Sequence, residues 1–194
     1  MRLVVGLGNP GERYARTRHN VGFLALDALA SRQGVSFSPG RGDNLVAKLR
    51  IGSDEVLAAK PQSFMNLSGA GVQALMTFHK IHPKDVFVVV DDMQLDLGRF
   101  RVRAEGSHGG HNGLRDIQAR IGAIYNRLRI GVGAKPPEWD LADWVLSRFS
   151  SSEMQTLEKR FPALENCLQV WFEKGLEAAT SQYNGPWNPG NPTA

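Results

Sequence analysis

Cysteine and long apolar runs are both scarce in this chain of 194 residues. A single cysteine, Cys167, rules out a disulfide within the chain and favours a reducing cytoplasm as the location. No apolar run approaches the roughly 18 residues that a membrane-spanning helix needs, so we expect no membrane partner. Met1 is followed directly by a strand pattern, so we expect no signal peptide.

The sequence also lacks the usual signatures of a covalent nucleophile. It contains no Gly-x-Ser-x-Gly elbow, and nothing in it pairs a cysteine with a histidine. Cys167 lies in the apolar pattern of a late helix, which is typical of a buried structural thiol. Any hydrolytic chemistry is therefore expected to use water as the nucleophile.

What the chain does contain is typical of one globular domain. Hydrophobic residues make up 42% and charged residues 22%, and we find no internal repeat. We therefore assign residues 1–183 to a single domain. Residues 184–194 hold three prolines and two glycines, a composition that predicts a disordered tail. The net charge of +4 permits a polyanionic partner without requiring one.

Apolar periodicity predicts the elements of this domain. Continuous or alternating apolar runs predict strands at residues 3–5, 44–51, 55–59, 86–90, 99–103 and 127–133. Helical spacing predicts helices at residues 21–32, 69–81, 114–121, 140–150 and 151–183, the last either continuous or broken at Pro162. Residues 35–43, rich in glycine, serine and proline, are predicted to form a loop.

The first twenty residues predict a site. Three glycines between residues 6 and 11 end the first buried strand in a loop that can approach a ligand closely. This loop carries Asn9. The sequence Thr-Arg-His-Asn then ends at Asn20, the predicted N-cap of the first helix. His19 therefore lies at a helix entrance beside a glycine loop, where open α/β sheets place their chemistry.

A dinucleotide site is the competing interpretation, because the same glycines match Gly-x-Gly-x-x-Gly. That fingerprint needs a helix that begins within the glycines, whereas Asn9-Pro10 and the polar residues 12–18 delay the helix to about residue 20. It also needs an acidic residue about 20 positions further on, at the end of a second strand. Asp27 has the distance but lies inside the helical pattern, so we set this interpretation aside.

Further polar residues fall at the ends of other predicted elements. Asp91 follows the most apolar strand, where a carboxylate can either orient a histidine or cap the next turn. Asn66 lies in a strand-to-helix turn, which it can also serve as a helix-initiating residue. Phe64 and Met65 lie beside it, and by sequence alone packing under the loop is the better interpretation of both.

The glycine-rich residues 106–113 form a second candidate loop. They lead into a helix N-terminus, whose free N–H groups favour an anion or a carbonyl oxygen, and Asn112 is the predicted N-cap. His108 and His111 raise the question of a metal. No third ligand or carboxylate accompanies them in a helical His-Glu-x-x-His arrangement, so we expect no metal.

Arginines alternate along the predicted strand at residues 99–103. The period of a strand puts Arg99, Arg101 and Arg103 on one face and the apolar residues on the other. Such a face is usually solvated, but three like charges at this spacing repel one another unless an anion lies across them. An anionic substrate would therefore fit this face.

Together these residues suit hydrolysis of an ester by water. One histidine, one carboxylate and three asparagines fall at element ends, namely His19, Asp91, Asn9, Asn66 and Asn112. An imidazole oriented by a carboxylate can deprotonate water, and amide side chains can bind the carbonyl and the developing oxyanion. An ester suits this set better than an amide, because the leaving alkoxide needs less help from a general acid.

Four segments, in order, resemble the signatures of bacterial peptidyl-tRNA hydrolases. They are Gly-Leu-Gly-Asn-Pro-Gly-x-x-Tyr-x-x-Thr-Arg-His-Asn from residue 6, Pro-x-x-Phe-Met-Asn-Leu-Ser-Gly from residue 61, Val-Asp-Asp from residue 90, and Gly-Ser-x-Gly-Gly-His-Asn-Gly-Leu from residue 106. Residues 127–131 and 142–146 also fit. The resemblance covers roughly residues 2–180 and is far more specific than a lone glycine pattern.

The resemblance implies a monomeric α/β fold in which helices flank a twisted mixed β-sheet. It implies cleavage of the ester between a peptide and the 3′ end of tRNA in peptidyl-tRNA, without metal or cofactor. The implied catalytic residues are His19 as the base, Asp91 as its partner, and Asn9. Two arginines are implied to clamp the 5′ phosphate of tRNA. The full set of implied substrate and tRNA contacts is Tyr14, Phe64, Met65, Asn66, His111, Asn112, Arg103 and Arg129.

The chain departs from the family pattern at Gln94-Leu-Asp96, where Asp-Leu-Pro is usual, and in its proline-rich tail. The first departure concerns the turn after Asp91 and not the base itself. Some relatives of this family act as RNA-binding partners in splicing and not as hydrolases. This chain keeps the whole polar set, which favours the enzyme.

Overall fold

The computed structural model describes residues 1–187, which form a seven-stranded mixed sheet with helices on both faces. The strands are β1 (Arg2–Gly6), β2 (Ser38–Gly40), β3 (Asn44–Ile51), β4 (Asp54–Pro61), β5 (Val86–Asp92), β6 (Phe100–Arg103) and β7 (Asn126–Gly131). The helices are α1 (Val21–Arg32), α2 (Ser68–His79), α3 (Asn112–Ile121), α4 (Leu141–Leu146), α5 (Ser151–Arg160), α6 (Pro162–Lys174) and α7 (Leu176–Tyr183). The predicted α/β class is confirmed.

The order of the strands determines where a site can lie. The sheet runs β2-β3-β4-β1-β5-β7-β6, with β4, β1, β5 and β7 parallel and the three remaining strands antiparallel to their neighbours. The chain leaves β1 toward one edge of the sheet and leaves β5 toward the other. A topological switch point therefore lies at the carboxyl ends of β1 and β5, where open α/β sheets bind their ligands.

The two central strands are buried on both faces. Val4, Phe87 and Val89 pack into the core formed with α1, α5, α6 and α7. Leu3 and Val5 pack into the opposite core, formed with α2 and α3. This double burial explains the continuous apolar sequence of both strands. No helix within residues 1–187 is both long and apolar enough to cross a membrane.

Two predicted elements are corrected. Residues 35–43 were expected to be a loop, yet β2 lies within them and pairs antiparallel with β3. β2 is a three-residue edge strand with Pro39 at its centre, so its composition carries no strand signal. The long helix expected at residues 151–183 is divided into α5, α6 and α7. The break at Pro162 is as expected, while the second break, at Gly175 with a φ of 84°, was not predicted.

Helix α4 is shorter than the predicted span of residues 140–150. It ends at Leu146 because Arg148 forms an antiparallel bridge with Thr17, and the Arg18 N–H donates to the carbonyl of Ser147 at 3.0 Å. These backbone contacts tie the segment after α4 to the turn that carries His19.

The first residues of the predicted tail contact the sheet. The Asn184 side chain accepts from the Val102 N–H at 2.6 Å and donates to the Val102 carbonyl at 3.1 Å. The Trp187 ring lies so close to Gly98 that a β-carbon at that glycine would collide with it. Within the predicted tail, the Asn184 amide thus bonds to β6 and the Trp187 ring packs on the turn before it, while disorder of the tail stays a prediction. Residues 188–194 lie outside the described part of the chain.

Gly22 marks the closest approach of α1 to the sheet. A β-carbon at Gly22 would lie 2.4 Å from the Val89 carbonyl oxygen and 2.5 Å from the Leu7 nitrogen. We expect Gly22→Ala to lower the free energy of unfolding by roughly 1–3 kcal/mol in urea denaturation, although alanine is the better helix former. Ser31→Ala, on the exposed face of the same helix, is the control and should stay within about 0.5 kcal/mol of wild type. Equal stability of the two variants would contradict the close approach.

Candidate active site

A cavity of about 770 Å³ opens at the switch point between β1 and β5. Its volume is within the range of small-molecule and cofactor sites. Its lining comes from the loops after β1, β4 and β5, the loop before α3, the strands β6 and β7, and α4. Of the residues implied by the family resemblance, those that line it are Asn9, His19, Phe64, Met65, Asn66, Asp91, Arg103, His111, Asn112 and Arg129.

Tyr14 is the one implied contact that does not line this cavity. It ends a short 3₁₀ turn, and its carbonyl accepts from both the hydroxyl and the N–H of Thr17. The Arg13 guanidinium stacks on the Tyr14 ring at 4.5 Å. The structure therefore does not place Tyr14 with the other predicted residues.

His19 and Asp91 form the centre of the site. His19 follows β1 in the turn before α1, and Asp91 is the sixth residue of the fully buried strand β5. His19 Nδ1 lies 2.9 Å from Asp91 Oδ1, and the two residues are only 9% and 5% exposed. This hydrogen bond uses the Nδ1 proton, so Nε2 is the nitrogen left to accept a proton from water in the cavity.

The electrostatics of the pair follow from burial and mutual attraction. Burial lowers the pKa of His19, but the Asp91 carboxylate raises it by more, so the pKa of His19 lies above its ordinary value. Burial acts to raise the pKa of Asp91, yet its histidine neighbours hold it far below its usual range. Asp91 is therefore ionised at neutral pH and stabilises a protonated His19.

His111 is the second imidazole on the same carboxylate. Its Nε2 lies 3.0 Å from Asp91 Oδ1, and its ring centroid is 4.8 Å from that of His19. His111 is also the N-cap of α3, since its Nδ1 accepts from the Leu114 N–H at 3.3 Å. The predicted cap, Asn112, is instead the first helical residue; it is exposed, and its side chain bonds to no other described residue.

Asn9 is held in one orientation by its neighbours. Its Oδ1 accepts from the Met65 N–H at 2.8 Å, which leaves its amide N–H₂ as the free group at the cavity. Asn20 does not cap α1 with its side chain as predicted. It instead accepts from the Asn9 N–H and donates to the Asn9 carbonyl, both at 2.9 Å. The sequence did not predict this positioning role, because Asn20 has an equally good local use as a cap.

The turn after β4 presents one buried and two exposed side chains. Met65 is 4% exposed, in agreement with the packing interpretation. Phe64 is 53% exposed, so that interpretation was wrong for the phenylalanine. Asn66 is exposed, and its side chain makes no hydrogen bond to any described residue. Phe64 and Asn66 thus offer a free aromatic face and a free amide at the cavity.

The arginines of β6 and β7 form one side of the cavity. Phe100 and Val102 point into the core, as predicted, while Arg101 and Arg103 line the cavity. Arg103 is exposed and carries no ion pair with any described residue. Arg99 does not line this cavity, because it precedes β6 at the turn on which Trp187 lies.

The two arginines of β7 hold the glycine-rich loop. Arg127 is 1% exposed and donates to the carbonyls of Gly106 and Ala123 at 2.9 and 3.0 Å. Arg129 donates to the Ser107 carbonyl at 3.3 Å and pairs with Asp92 at 3.5 Å. Both side chains therefore position the loop that leads to His111.

Arg18, next to His19, makes contacts that the sequence did not predict. It is 5% exposed, pairs with Glu153 at 2.9 Å and donates to the Val132 carbonyl at 2.9 Å. Its guanidinium lies 3.8 Å from the Trp144 ring centroid. These contacts fasten α4 and α5 to the turn that holds His19. Their partners lie more than 100 positions away, so periodicity gave no signal.

The turn after Asp91 closes without the proline that is usual in the family. The Gln94 N–H donates to Asp92 Oδ1 at 2.8 Å, and the Gly98 N–H donates to the Gly131 carbonyl at 2.9 Å. The replacement at residues 94–96 therefore leaves a hydrogen-bonded turn.

A metal would find one candidate group of ligands in residues 1–187, namely His19, Asp91 and His111, whose ligand atoms lie within 4.8 Å of one another. Both imidazoles already point a nitrogen at the same carboxylate oxygen at hydrogen-bond distance.

Cys167 is buried, and burial raises the pKa of its thiol to about 12, so it cannot act as a thiolate.

The fold and this geometry define a class of protein: a single-domain α/β protein with a buried histidine–carboxylate pair in a cavity at the switch point of its sheet. The comparisons with known proteins are more specific. The family of peptidyl-tRNA hydrolases matches residues 3–191. The chain belongs to the peptidyl-tRNA hydrolase family.

Individual relatives agree with this assignment. The chain is 45% identical to a peptidyl-tRNA hydrolase of Chloroflexus aurantiacus over 186 residues, which is 95% of this chain and 99% of the relative. It is 44% identical to that of Desulfitobacterium hafniense, over 95% of this chain and 100% of the relative. The crystal structure of the Acinetobacter baumannii peptidyl-tRNA hydrolase superposes with a TM-score of 0.88 at 32% identity, covering 97% of this chain and 96% of that one.

The Asp91–His19 contact predicts how a substitution of the carboxylate changes the pKa of His19. Because Asp91 raises the pKa of His19, Asp91→Asn should lower it, as measured by NMR titration of the imidazole. Asp92→Asn is the matched control, because Asp92 pairs with Arg129 and not with His19. An equal shift in both variants would mean that net charge, and not the contact, sets the pKa of His19.

Proposed function

We propose that this chain hydrolyses the ester between the peptide and the 3′ end of tRNA in peptidyl-tRNA, which releases tRNA for reuse in translation. The observation that carries the proposal is the buried His19–Asp91 pair, whose free Nε2 meets a cavity with a basic side. Such a pair activates water and needs no nucleophilic side chain.

The proposed reaction uses His19 twice. Nε2 takes a proton from water as the water oxygen attacks the ester carbonyl, and ionised Asp91 stabilises the resulting imidazolium. The amide N–H₂ of Asn9, fixed by Met65, and the free amide of Asn112 then donate to the negatively charged oxygen. When the tetrahedral intermediate collapses, the imidazolium returns its proton to the departing 3′ oxygen of tRNA.

The remaining side chains of the cavity are proposed to bind the two parts of the substrate. The exposed ring of Phe64 suits stacking on the terminal adenine, and buried Met65 and the exposed Asn66 line the same cavity. Arg103 and Arg129 suit contacts with tRNA phosphate. Arg103 is unpaired among the described residues, whereas Arg129 must exchange its contacts with Asp92 and Ser107.

The proposed enzyme works as a monomer in the cytoplasm and needs neither metal nor cofactor. The base, its carboxylate and the amide donors come from one chain, which supports the monomer. The single buried thiol supports a reducing compartment.

Removal of the base tests the enzyme. His19→Ala should hydrolyse an N-blocked aminoacyl-tRNA at least about a hundredfold more slowly, since a general base contributes roughly 10²–10⁴ in rate. Binding of the same tRNA at matched salt should stay near wild type, because the arginines are untouched. His79→Ala, on α2 and away from the cavity, is the matched control and should retain normal turnover.

Three outcomes would contradict parts of this proposal. Wild-type protein that binds tRNA without any turnover would favour an RNA-binding role over the enzyme. Full turnover by His19→Ala would remove His19 as the base. Loss of binding and turnover together, with a lowered melting temperature, would make His19 a structural residue.

Arg103 tests the proposed tRNA contact separately from the chemistry. Arg103→Ala should raise KM for full-length substrate and reduce the slope of log KM against log salt by about 0.7–0.9, because one phosphate contact is lost. A short substrate that keeps only the terminal adenosine should be cleaved as by wild type. Arg99→Ala removes the same charge outside the cavity and serves as the control. Equal slowing of both substrates by Arg103→Ala would mean that Arg103 supports the fold.

A further inference from the structure

The sharing of one oxygen by two histidines has a chemical consequence. Asp91 Oδ1 lies 2.9 Å from His19 Nδ1 and 3.0 Å from His111 Nε2. The side chains of His19, Asp91 and His111 are 11%, 4% and 8% exposed, so water has little access to relieve this competition. A hydrogen bond from one imidazole to Oδ1 therefore weakens the hydrogen bond between Oδ1 and the other imidazole.

The position of His111 in α3 fixes its tautomer. Its Nδ1 accepts from the Leu114 N–H, and a nitrogen that accepts a hydrogen bond carries no proton. The proton of neutral His111 must then be on Nε2, the atom that faces Asp91. A second proton on Nδ1 would break the cap and would place a positive charge at the positive end of the helix.

The surroundings act on the two rings in opposite directions. Burial lowers the pKa of His111, Asp91 raises it, and His19 and Arg129 lower it, so the net pKa falls below its ordinary value. The net pKa of His19 rises. Hence His111 loses its proton at a lower pH than His19 does.

We propose that His111 is a positioning residue: held by α3 as the neutral Nε2–H tautomer, it shares Asp91 Oδ1 with His19 and limits how strongly the carboxylate retains a proton on the base. The inference rests on the proposed function, in which His19 must be unprotonated to activate water. Asp91 alone would orient His19 but would also keep it protonated at a higher pH. With the His111 Nε2–H donating to the same oxygen, Asp91 still orients His19 but stabilises the protonated form of His19 less.

Other charged groups around the rings come from several elements. All of these groups are unchanged in the two His111 variants described below, so they act equally on His19 in both variants. They are Asp92 of β5, Arg101 and Arg103 of β6, Glu105 of the loop, Arg127 and Arg129 of β7, and Asp140 before α4.

Two substitutions separate the roles of the two His111 nitrogens. His111→Asn keeps a good capping side chain for α3 but removes the donor to Asp91. His111→Gln keeps an amide N–H at the distance of Nε2. We expect the pKa of His19 to rise by roughly 0.5–1 unit in His111→Asn and to stay near wild type in His111→Gln.

NMR of the imidazole nitrogens in the free protein measures this directly. The chain has five histidines, and the His111 signals are those lost in His111→Asn. In wild type they should show a proton on Nε2 and none on Nδ1 over the whole pH range in which His19 titrates. A His111 that is protonated on Nδ1, or that titrates together with His19, would overturn the proposal. So would an unchanged or lowered pKa of His19 in His111→Asn.

The acid limb of kcat/KM gives a second measurement. It should move to higher pH in His111→Asn and not in His111→Gln. The NMR measurement requires no turnover, so failure of this inference and failure of the proposed hydrolysis are distinguishable. If wild-type protein shows the expected tautomer but no hydrolysis, the proposed function is wrong and the sharing of Asp91 by the two histidines still stands.

Discussion

The site depends on one buried carboxylate oxygen. Ionised Asp91 lies at the end of a strand with no exposed residue, where an unpaired charge would be costly. Two imidazoles satisfy Oδ1, and each comes from a different part of the chain. The charge thereby brings together the loop after β1, the end of β5 and the start of α3. The site therefore exists only when the sheet and both of its helix layers have assembled.

The lining of the cavity combines cationic and apolar side chains. The alternation of β6 turns its apolar residues into the core and Arg101 and Arg103 toward the cavity. Helix α4 adds apolar residues to the lining, namely Leu141, Val145 and Leu146. A substrate with a polyanionic part and a part of variable, often apolar, side chains suits such a cavity. This match is independent of the chemistry at His19.

Local signals in the sequence were enough to predict most strands, the helices that flank the sheet and the loops that carry the site. Asp91 and His19 were identified because each lies where a buried strand or a helix begins or ends. The contacts that orient Asn9 could not be read in this way, because Asn20 has an equally good local use as a cap. The role of Arg18 depends on partners far along the chain, and helix or strand period carries no information about them.

The capping of α3 shows the same limit. Asn112 was the better cap by propensity, yet His111 takes that place because its other nitrogen is held by Asp91. A tertiary contact worth more than the difference in capping propensity thus moved the helix start by one residue. Such one-residue shifts occur where a functional side chain has two partners to satisfy.

Asn184 has a consequence for how the protein behaves among other chains. β6 is the last strand of the sheet, so its outer N–H and carbonyl groups are open to a strand from another molecule. The amide of Asn184 occupies both of these groups on Val102, as a neighbouring strand would. Asn184 therefore blocks the hydrogen-bonding groups of Val102 at this edge. Arg101 and Arg103 on either side of Val102 would repel the same edge of a second copy. The strand that carries the cationic side of the cavity is thus protected against edge-to-edge aggregation.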